Sequence, residues 1–430
     1  MTYDKNKAAL TPPMGFNTWD CYGAGVNEAQ LLAIAAYMRD HLLPFGWEYV
    51  VCDIQWYEPK AKSVHYKNFT ELCMDEYSRL LPAENRFPSA KNGRGFAPIA
   101  EKIHNMGLKF GVHLMRGIPR QAVHRNTPTV TPGVTARDIA QSYSLCPWNT
   151  DMYGVDPDAP GAQAYYDSVF ALFAAWGVDY VKVDDVANTE YKPHDPYSAK
   201  REIEMLRAAI DRCGRPMVLS LSPGPAPVSA AFHLKQNANL WRMSGDFWDT
   251  RDALNRMFAL CEQWYPHVSP GCWPDCDMLP LGILSMDDPD PAMRARKTRF
   301  TKNEQLTLMN LWCIFRSPLM MGGEVTLNDD FTLSLLTNRD LIAVNQRSSG
   351  NRPLISDKEK AVWTCADENG NAVFAFFNLK TEKQDVTCDL GIPGGTATDL
   401  WTKETFTVPA DGKLTLPLED GESRIFRVTA

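Results

Sequence analysis

Hydrophobic residues follow two alternating spacings through most of the chain. Short, nearly continuous apolar runs are typical of buried strands, and they alternate with stretches in which apolar residues recur every three or four positions, as on a helix. The predicted strands are Met14–Asp20, Tyr49–Ile54, Lys109–Leu114, Asp179–Val186, Met217–Ser222 and Leu240–Asp246, with a later short apolar stretch at Ser317–Met321. The predicted helices are Asn27–Leu43, Gly95–Gly107, Gly161–Trp176, Ala199–Cys213, Asp252–Trp264 and Leu306–Phe315.

This alternation predicts an α/β fold in which a parallel sheet is covered by helices. Eight such units would close into a (β/α)8 TIM-type barrel, which we expect over residues 1–344. An open doubly wound sheet is the structural alternative, and it is disfavoured because no glycine-rich phosphate loop follows the first strand. Two segments are predicted to be irregular: a long Pro- and Thr-rich loop after Arg116, which Trp148 and Tyr153 favour as a folded lid, and Pro270–Leu279.

The pattern changes after about Asn345, where helical periodicity stops. Short alternating segments separated by turn signals predict an antiparallel β-sandwich over residues 345–430, packed rigidly on the barrel. Its predicted strands are Ala361–Cys365, Ala372–Asn378, Asp385–Asp389, Leu414–Leu416 and Ser423–Val428. The open edges of such a sheet would allow a homo-oligomer, although no residue pattern indicates one.

Composition narrows the class of protein. The 430 residues are 44% hydrophobic and 22% charged, as in ordinary globular proteins, and the net charge of -8 argues against nucleic acid or an anionic membrane as a partner. The start of the sequence lacks an apolar signal segment, so we expect a cytoplasmic protein. The eleven cysteines form no disulfide framework, and Cys272 and Cys276 lack the further ligands of a zinc site.

Polar or aromatic residues fall at the carboxyl end of nearly every predicted strand. In a barrel these ends converge on one face, where active sites are built. Any one of these residues is more often structural, but seven at equivalent positions, four of them aspartates, predict a site. They are Trp19, Asp53, His113, Asp184, Ser222, Asp246 and Asp277.

Several carboxylates with a lysine, and without a cofactor motif, suit glycoside hydrolysis, which needs two carboxyl groups beside the anomeric carbon. Lys182 lies two residues before Asp184, hence on the same side of the strand, where its charge would favour the ionised form that a nucleophile requires. Asp246 follows Arg242 by four residues. It is either a helix cap or surface carboxylate, or it lies beside a bidentate clamp that Arg242 forms on a carboxylate or a sugar hydroxyl. Trp19 and Trp273 would either stack on a sugar or pack in the core.

Six motifs in this order resemble glycoside hydrolase family 27, the α-galactosidase family of clan D. They cover about residues 11–346 and read TPPMGFNTWD, YVVCDIQW, DYVKVDDV, LWRMSGD, WPDCDML and LWCIFRSPLMMGG. The resemblance implies a retaining exo-glycosidase that acts on an oligosaccharide or glycoside without a metal or cofactor. It assigns the nucleophile to Asp184 and the acid/base to Asp246, and it makes sugar contacts of Trp19, Asp53, Lys182, Arg242 and Asp277.

One departure from the family bears on the substrate. Members that act on α-galactosides have two adjacent aspartates after the second strand, whereas this chain has Asp53 followed by Ile54. Isoleucine cannot accept a hydrogen bond from a hydroxymethyl group, and an unpaired hydroxyl costs about 1–3 kcal/mol. β-L-arabinopyranose has the galactose pattern of hydroxyls without that group, so we expect a β-L-arabinopyranosidase, with α-galactosidase as the alternative. If Ile54 instead points into the core, another residue reads this position.

Other departures leave further alternatives open. Ser222-Pro223-Gly224 stands where α-galactosidases often have a glutamate, so α-N-acetylgalactosaminidase is a lower candidate. The family usually places a tyrosine near His113, and Gln55 replaces a disulfide cysteine of secreted relatives, in agreement with a reducing compartment. A carbohydrate-binding protein on an inactive scaffold would lack one catalytic carboxylate. An aldolase using Lys182 as a Schiff base is disfavoured by the adjacent carboxylates.

Overall fold

Eight parallel strands form the barrel in the computed structural model, which describes residues 4–429. Each strand pairs in register with its neighbour, and a parallel bridge between Leu279 and Met321 joins the last two and closes the sheet. The barrel strands are β1 (Met14–Asn17), β2 (Tyr49–Cys52), β3 (Lys109–Met115), β7 (Tyr180–Asp184), β8 (Val218–Leu221), β9 (Leu240–Arg242), β10 (Trp273–Asp275) and β13 (Leu319–Met321). The predicted barrel is therefore confirmed.

Helices cover the outside of this sheet and begin and end where local sequence signals indicate. Asn27 and Gln30 form a capping box at the start of the helix Glu28–His41, and the helix Ala162–Trp176 ends at Gly177, whose φ of 83° suits glycine. The helices are α1 (Trp19–Tyr22), α2 (Glu28–His41), α3 (Ala97–Asn105), α4 (Arg120–Arg125), α5 (Ala136–Ile139), α6 (Ala162–Trp176), α7 (Lys200–Arg212), α8 (Ala231–Asn237), α9 (Arg251–Trp264), α10 (Lys302–Phe315), α11 (Asp330–Thr337) and α12 (Arg339–Arg347). Short 3-10 turns add Lys5–Ala9, Leu43–Phe45, Pro88–Ala90, Val228–Ala230, Tyr265–His267 and Val325–Leu327.

Two segments predicted to be irregular are ordered. The segment after Arg116 contains α4, α5 and a three-stranded antiparallel sheet of β4 (Ile118–Pro119), β5 (Ala140–Leu145) and β6 (Met152–Val155), so the prediction of a long loop was wrong. The seventh barrel strand, β10, lies within the stretch Pro270–Leu279. Its central Pro274 has no N–H to donate, but β10 pairs along its length with β9 alone, which leaves room for such a residue.

The C-terminal part is an antiparallel β-sandwich, as predicted. A six-stranded sheet packs on a two-stranded one around an apolar cluster that includes Val362, Phe376, Val386 and Phe426. Its strands are β14 (Ser349–Ser356), β15 (Lys360–Ala366), β16 (Ala372–Asn378), β17 (Gln384–Asp389), β18 (Thr396–Asp399), β19 (Thr405–Thr407), β20 (Lys413–Leu418) and β21 (Ser423–Thr429). A small antiparallel pair, β11 (Ile283–Leu284) and β12 (Arg296–Lys297), lies in the connection between β10 and α10.

Helix α10 joins the two parts of the protein. Its buried Asn310 donates to Ser423 Oγ at 2.8 Å and accepts from Trp401 Nε1 at 2.8 Å. The α12 helix passes through residue 344, so the predicted division into residues 1–344 and 345–430 stays a prediction. Across residues 4–429, the helices are too short or too polar to cross a bilayer.

Candidate active site

A cavity of about 390 Å³ opens at the carboxyl ends of the barrel strands. Seven of the ten residues predicted for the site line it, so the strand-end pattern located this cavity correctly. They are Trp19, Asp53, Lys182, Asp184, Arg242, Asp246 and Asp277. A wider groove of about 900 Å³ beside the start of α2 is lined by scattered surface charges such as Lys60 and Arg294. The smaller cavity brings several buried carboxylates together around Lys182, whose side chain is 13% exposed, and we therefore take it as the candidate active site.

Asp184 is the last residue of β7 and lies on the cavity wall. Its carboxylate oxygen Oδ2 lies 3.1 Å from His113 Nε2, and Oδ1 accepts from the Asp185 backbone N–H at 3.1 Å. Facing an ionised carboxylate, His113 Nε2 must donate. Burial opposes ionisation, but the His113 hydrogen bond and the charge of Lys182 hold the pKa of Asp184 well below its usual value. The group is thus a carboxylate at neutral pH, as a nucleophile has to be.

Lys182 forms an ion pair with Asp53 across the sheet. Its ammonium donates to Asp53 Oδ2 at 3.0 Å, and the same oxygen accepts from Asn17 Nδ2 at 2.7 Å. Burial works against both charges, yet each charge stabilises the other, so the pKa of Lys182 is raised and that of Asp53 is lowered. The pair presents one positive and one negative group to a bound polyhydroxylated ligand.

Arg242 links the two remaining carboxylates. Its Nη2 lies 2.7 Å from Asp277 Oδ2 and 3.3 Å from Asp246 Oδ1, and it also donates to the Gly245 carbonyl at 2.6 Å. Burial disfavours the charge of Arg242, but the carboxylates of Asp277 and Asp246 raise its pKa above the usual value. Asp277 is 4% exposed whereas Asp246 is 61% exposed, so Asp246 sits at the mouth where incoming groups and water reach it.

Aromatic side chains form one side of the cavity. Trp19 stacks on Tyr66 with ring centroids 5.8 Å apart, and Tyr66 contacts Trp148 at 5.9 Å. Such flat apolar faces beside hydrogen-bonding groups suit the two kinds of surface on a sugar ring. The structure therefore assigns Trp19 to the cavity wall, whereas Trp273 is fully buried and donates to the Ala9 carbonyl at 2.8 Å.

Three predicted site residues lie behind the cavity wall. His113 is fully buried and acts on the site through Asp184. Ser222 is 1% exposed and lines a separate void of about 20 Å³ beneath the site, while Pro223 and Gly224 line the main cavity. Ile54 is 1% exposed, belongs to the hydrophobic core and donates its N–H to Asp53 Oδ1 at 2.8 Å. A direct contact between Ile54 and a sugar stays a prediction.

Sequence reasoning missed several lining residues. Asp20 is 3% exposed, and its Oδ2 has no hydrogen-bond partner within residues 4–429. Burial and the carboxylates of Asp277 and Asp246 raise the pKa of Asp20 well above its usual value. Its place directly after Trp19 was a signal that could have found it. Four others come from loops that carry no periodic pattern, namely Tyr66, Trp148, Asn188 and Glu190. The remaining ones lie within two residues of predicted site residues, namely Gly245, Phe247, Trp248 and Met278.

Comparison with known proteins gives consistent matches. Residues 157–347 match the family model for alpha galactosidase A, and residues 357–428 match that for the alpha galactosidase C-terminal beta sandwich domain. The chain is 52% identical to a β-L-arabinopyranosidase of glycoside hydrolase family 27 from Geobacillus stearothermophilus, whose crystal structure has a TM-score of 0.96 and matches over 99% of this chain and 98% of that one. A variant of that enzyme was crystallised in complex with arabinose.

Two further relatives carry different names. A crystal structure from Bacillus halodurans, named as a proposed α-N-acetylgalactosaminidase, is 49% identical with a TM-score of 0.88, covering 98% of this chain and 97% of that one. The α-galactosidase of Cyamopsis tetragonoloba is 24% identical over 434 aligned positions, covering 99% of this chain and 88% of that protein.

Proposed function

Since this chain belongs to glycoside hydrolase family 27, we propose that it is a retaining exo-glycosidase that releases a terminal β-L-arabinopyranosyl unit. One observation carries this proposal: Asp184 and Asp246 line the same cavity, the first buried and held ionised, the second exposed at the mouth. Retaining hydrolysis needs these two different environments, because one carboxyl group attacks while the other exchanges protons with the leaving group and water.

In the first step an oxygen of Asp184 forms a bond to the anomeric carbon while the bond to the departing oxygen breaks. Asp246 gives its proton to that oxygen, which leaves as an alcohol. In the second step Asp246, now a carboxylate, takes a proton from water, and the water oxygen attacks the anomeric carbon. The bond to Asp184 breaks and restores its carboxylate, so two inversions give net retention.

The remaining charged groups hold the sugar in this proposal. Asp53 and Lys182 bind adjacent hydroxyls, Trp19 covers the apolar face of the ring, and the Arg242–Asp277 pair lies beside the acid/base. Fixing the ring against Asp184 converts the attack into an effectively unimolecular step.

The similar Geobacillus enzyme supports arabinopyranose over galactose, because it is named a β-L-arabinopyranosidase. Ile54 follows Asp53 where a galactoside would gain from a second carboxylate, but its side chain belongs to the hydrophobic core and does not line the cavity, so it favours arabinopyranose only by withholding an acceptor. α-Galactosidase is the second candidate, supported by the matching family models. α-N-acetylgalactosaminidase is a lower one, supported by the small residues Pro223 and Gly224 in the cavity wall.

The assay that tests the proposal compares three nitrophenyl glycosides side by side: the β-L-arabinopyranoside, the α-galactoside and the α-N-acetylgalactosaminide. We expect the highest kcat/KM for the arabinopyranoside. A higher value for either hexoside would reassign the substrate, and no hydrolysis of any of them would remove the glycosidase proposal.

We further propose a cytoplasmic location, a barrel of residues 1–344 and a β-domain of residues 345–430. The eleven cysteines are free thiols in the fold, which suits a reducing compartment. Assembly with a second copy stays a prediction.

A further inference from the structure

We propose that Arg116 and Asp185 are positioning residues that hold the carboxylate of Asp184 in its orientation for attack. This inference rests on the proposed function, in which Asp184 is the nucleophile. Neither residue lines the cavity, and both are buried behind it, with side chains 1% and 2% exposed.

The backbone turns sharply where β7 ends. Asp185 has a φ of 55°, in the left-handed region that residues with a Cβ seldom adopt, although aspartate tolerates it better than most. In this conformation its N–H donates to Asp184 Oδ1 at 3.1 Å. The uncommon backbone angle thus supplies one of the two hydrogen bonds that orient the Asp184 carboxylate, the other coming from His113.

Arg116 holds this turn from both sides of the peptide unit. Its Nε donates to the Asp185 carbonyl at 2.7 Å, and its Nη2 donates to Asp185 Oδ2 at 2.6 Å. Its backbone N–H donates to the Asp184 carbonyl at 3.0 Å. A planar guanidinium that binds a carbonyl and a carboxylate of one residue fixes both its backbone and its side chain.

The remaining guanidinium nitrogen of Arg116, Nη1, is also hydrogen-bonded. Arg116 Nη1 donates to Glu202 Oε1 and to Ser144 Oγ, each at 2.8 Å. Glu202 Oε2 in turn accepts from Tyr166 OH at 2.7 Å and from the Val155 N–H at 3.1 Å. The turn after Asp184 is therefore tied to α7, to α6 and to the small sheet that follows Arg116.

A purely stabilising role explains this cluster less well. Buried ion pairs often add little net stability, because the free energy lost when the charged groups leave water is about as large as the free energy of their attraction. Here two nitrogens of the guanidinium, Nε and Nη2, bind Asp185, whose unusual backbone angle lies next to the reacting carboxylate. A stabilising role and a positioning role differ in one measurable respect. If the cluster positions Asp184, a substitution that alters the turn at Asp185 must change the pKa and the orientation of the Asp184 carboxylate, whereas a purely stabilising role requires neither change.

The pH dependence follows from the direction of the effect. A hydrogen bond to a carboxylate stabilises the charged form, so losing the Asp185 N–H bond raises the pKa of Asp184. The acid limb of kcat/KM, which reports the free enzyme, then moves to higher pH. The other titratable or charged groups that act on Asp184 are the Asp185 carboxyl with its partner Arg116, His113 from β3, Lys182 from β7, Arg242 from β9, and Tyr57, Tyr66 and Cys146 from the loops. Because Asp185→Ala and Asp185→Asn both remove that carboxyl charge, the difference between their acid limbs isolates the loss of the Asp185 N–H bond.

The test uses Asp185→Ala, Asp185→Asn and a matched control, Asp399→Ala. Alanine tolerates the left-handed region poorly, and its side chain cannot accept a hydrogen bond from Arg116. Asparagine tolerates this region well, and its side-chain oxygen can accept that hydrogen bond. For Asp185→Ala we expect a fall in kcat of about 10- to 100-fold with little change in KM, together with the shifted acid limb. Asp185→Asn should recover most of kcat. Asp399 is also a buried, arginine-paired aspartate, bonded to Arg424 at 2.7 Å in the β-domain, and its loss should lower the melting temperature alone.

Three results would overturn the proposal: an unshifted acid limb in Asp185→Ala, equal defects in the alanine and asparagine variants, or the same kinetic loss in Asp399→Ala. A crystal structure of Asp185→Ala separates this inference from the proposed function, because it needs no substrate. A displaced Asp184 carboxylate supports positioning, and an unmoved one refutes it, even if the wild-type protein hydrolyses no arabinopyranoside or galactoside.

Discussion

Lys182 pairs with Asp53, 3.0 Å away across the sheet, while His113 takes the position at Asp184 that the sequence spacing suggested for the lysine. Lys182 and Asp184 do share one side of β7, but the ammonium reaches towards β2. Its charge still favours the ionised form of Asp184 at longer range. Lys182 therefore stabilises the ionised form of two carboxylates: that of Asp53 through a hydrogen bond, and that of Asp184 through longer-range electrostatic attraction.

Replacing Lys182 with methionine should separate these effects. Burial alone would raise the pKa of Asp53, so without the cation this carboxyl becomes protonated at higher pH and binds hydroxyls less well. We expect kcat/KM to fall by about 10²-fold, with its acid limb moved to higher pH. Lys109→Met is the control. It removes a half-exposed lysine that pairs with Glu48 at the amino end of β3, away from the cavity, and it should leave the pH dependence of kcat/KM unchanged. An unaltered acid limb in Lys182→Met would contradict this role.

The two catalytic carboxylates should respond differently to the leaving group. Asp184→Asn removes the nucleophile and should lower kcat by at least about 10³-fold with every substrate. Asp246→Asn removes the proton donor, so we expect about 10²- to 10⁴-fold loss with alkyl glycosides and a smaller loss with nitrophenyl glycosides, whose phenolate needs little protonation. Circular dichroism should show an intact fold, and Asp158→Asn at the exposed surface should behave as wild type. Wild-type rates in either variant would remove the assignment of that residue.

Ile54→Asp tests the choice between arabinopyranose and galactose. A carboxylate at this position would offer an acceptor to a hydroxymethyl group, so the ratio of kcat/KM for galactoside over arabinopyranoside should rise. Since Ile54 is 1% exposed, the charge also lowers stability, and Ile54→Val controls for altered packing at a cost of about 0.5–1.5 kcal/mol. If a folded Ile54→Asp protein keeps the wild-type ratio, Ile54 does not determine the substrate.

Asn310→Ala tests how the β-domain is attached. The substitution leaves Trp401 Nε1 without its acceptor and removes one of the two donors from α10 to Ser423 Oγ, the other being Thr307. We expect a loss of about 1–3 kcal/mol in the free energy of unfolding. Urea denaturation followed by fluorescence measures it. Because the cavity lies on another part of the barrel, kcat should stay at the wild-type value, and a changed kcat would mean that this interface also shapes the active site.

The barrel was predictable because its strands are short apolar runs, and because strand ends in such a fold meet on one face. That geometry correctly predicted that Asp53, Asp184 and Asp277 share one cavity. β10 escaped prediction because a three-residue strand with a central proline carries almost no periodic signal. Such a strand is specified by its neighbours in the sheet.

The rest of the site depends on contacts between distant parts of the chain. Tyr66 and Trp148 come from loops whose course is set by tertiary packing, and their sequence surroundings do not mark them. The pairing of Lys182 with Asp53 likewise depends on which neighbouring strand the side chain leans towards. The spacing of residues along one strand determines the face of the sheet on which a side chain lies, but it does not determine which side chain on a neighbouring strand it pairs with.

Covalent trapping tests the central claim most directly. A 2-deoxy-2-fluoro-β-L-arabinopyranosyl substrate with a good leaving group should glycosylate the enzyme faster than water releases the sugar. Mass spectrometry of the intact protein and its peptides should then show one pentosyl unit attached to Asp184. A label on another residue, or hydrolysis of the parent arabinopyranoside without any covalent intermediate, would contradict the assignment of Asp184 as the nucleophile.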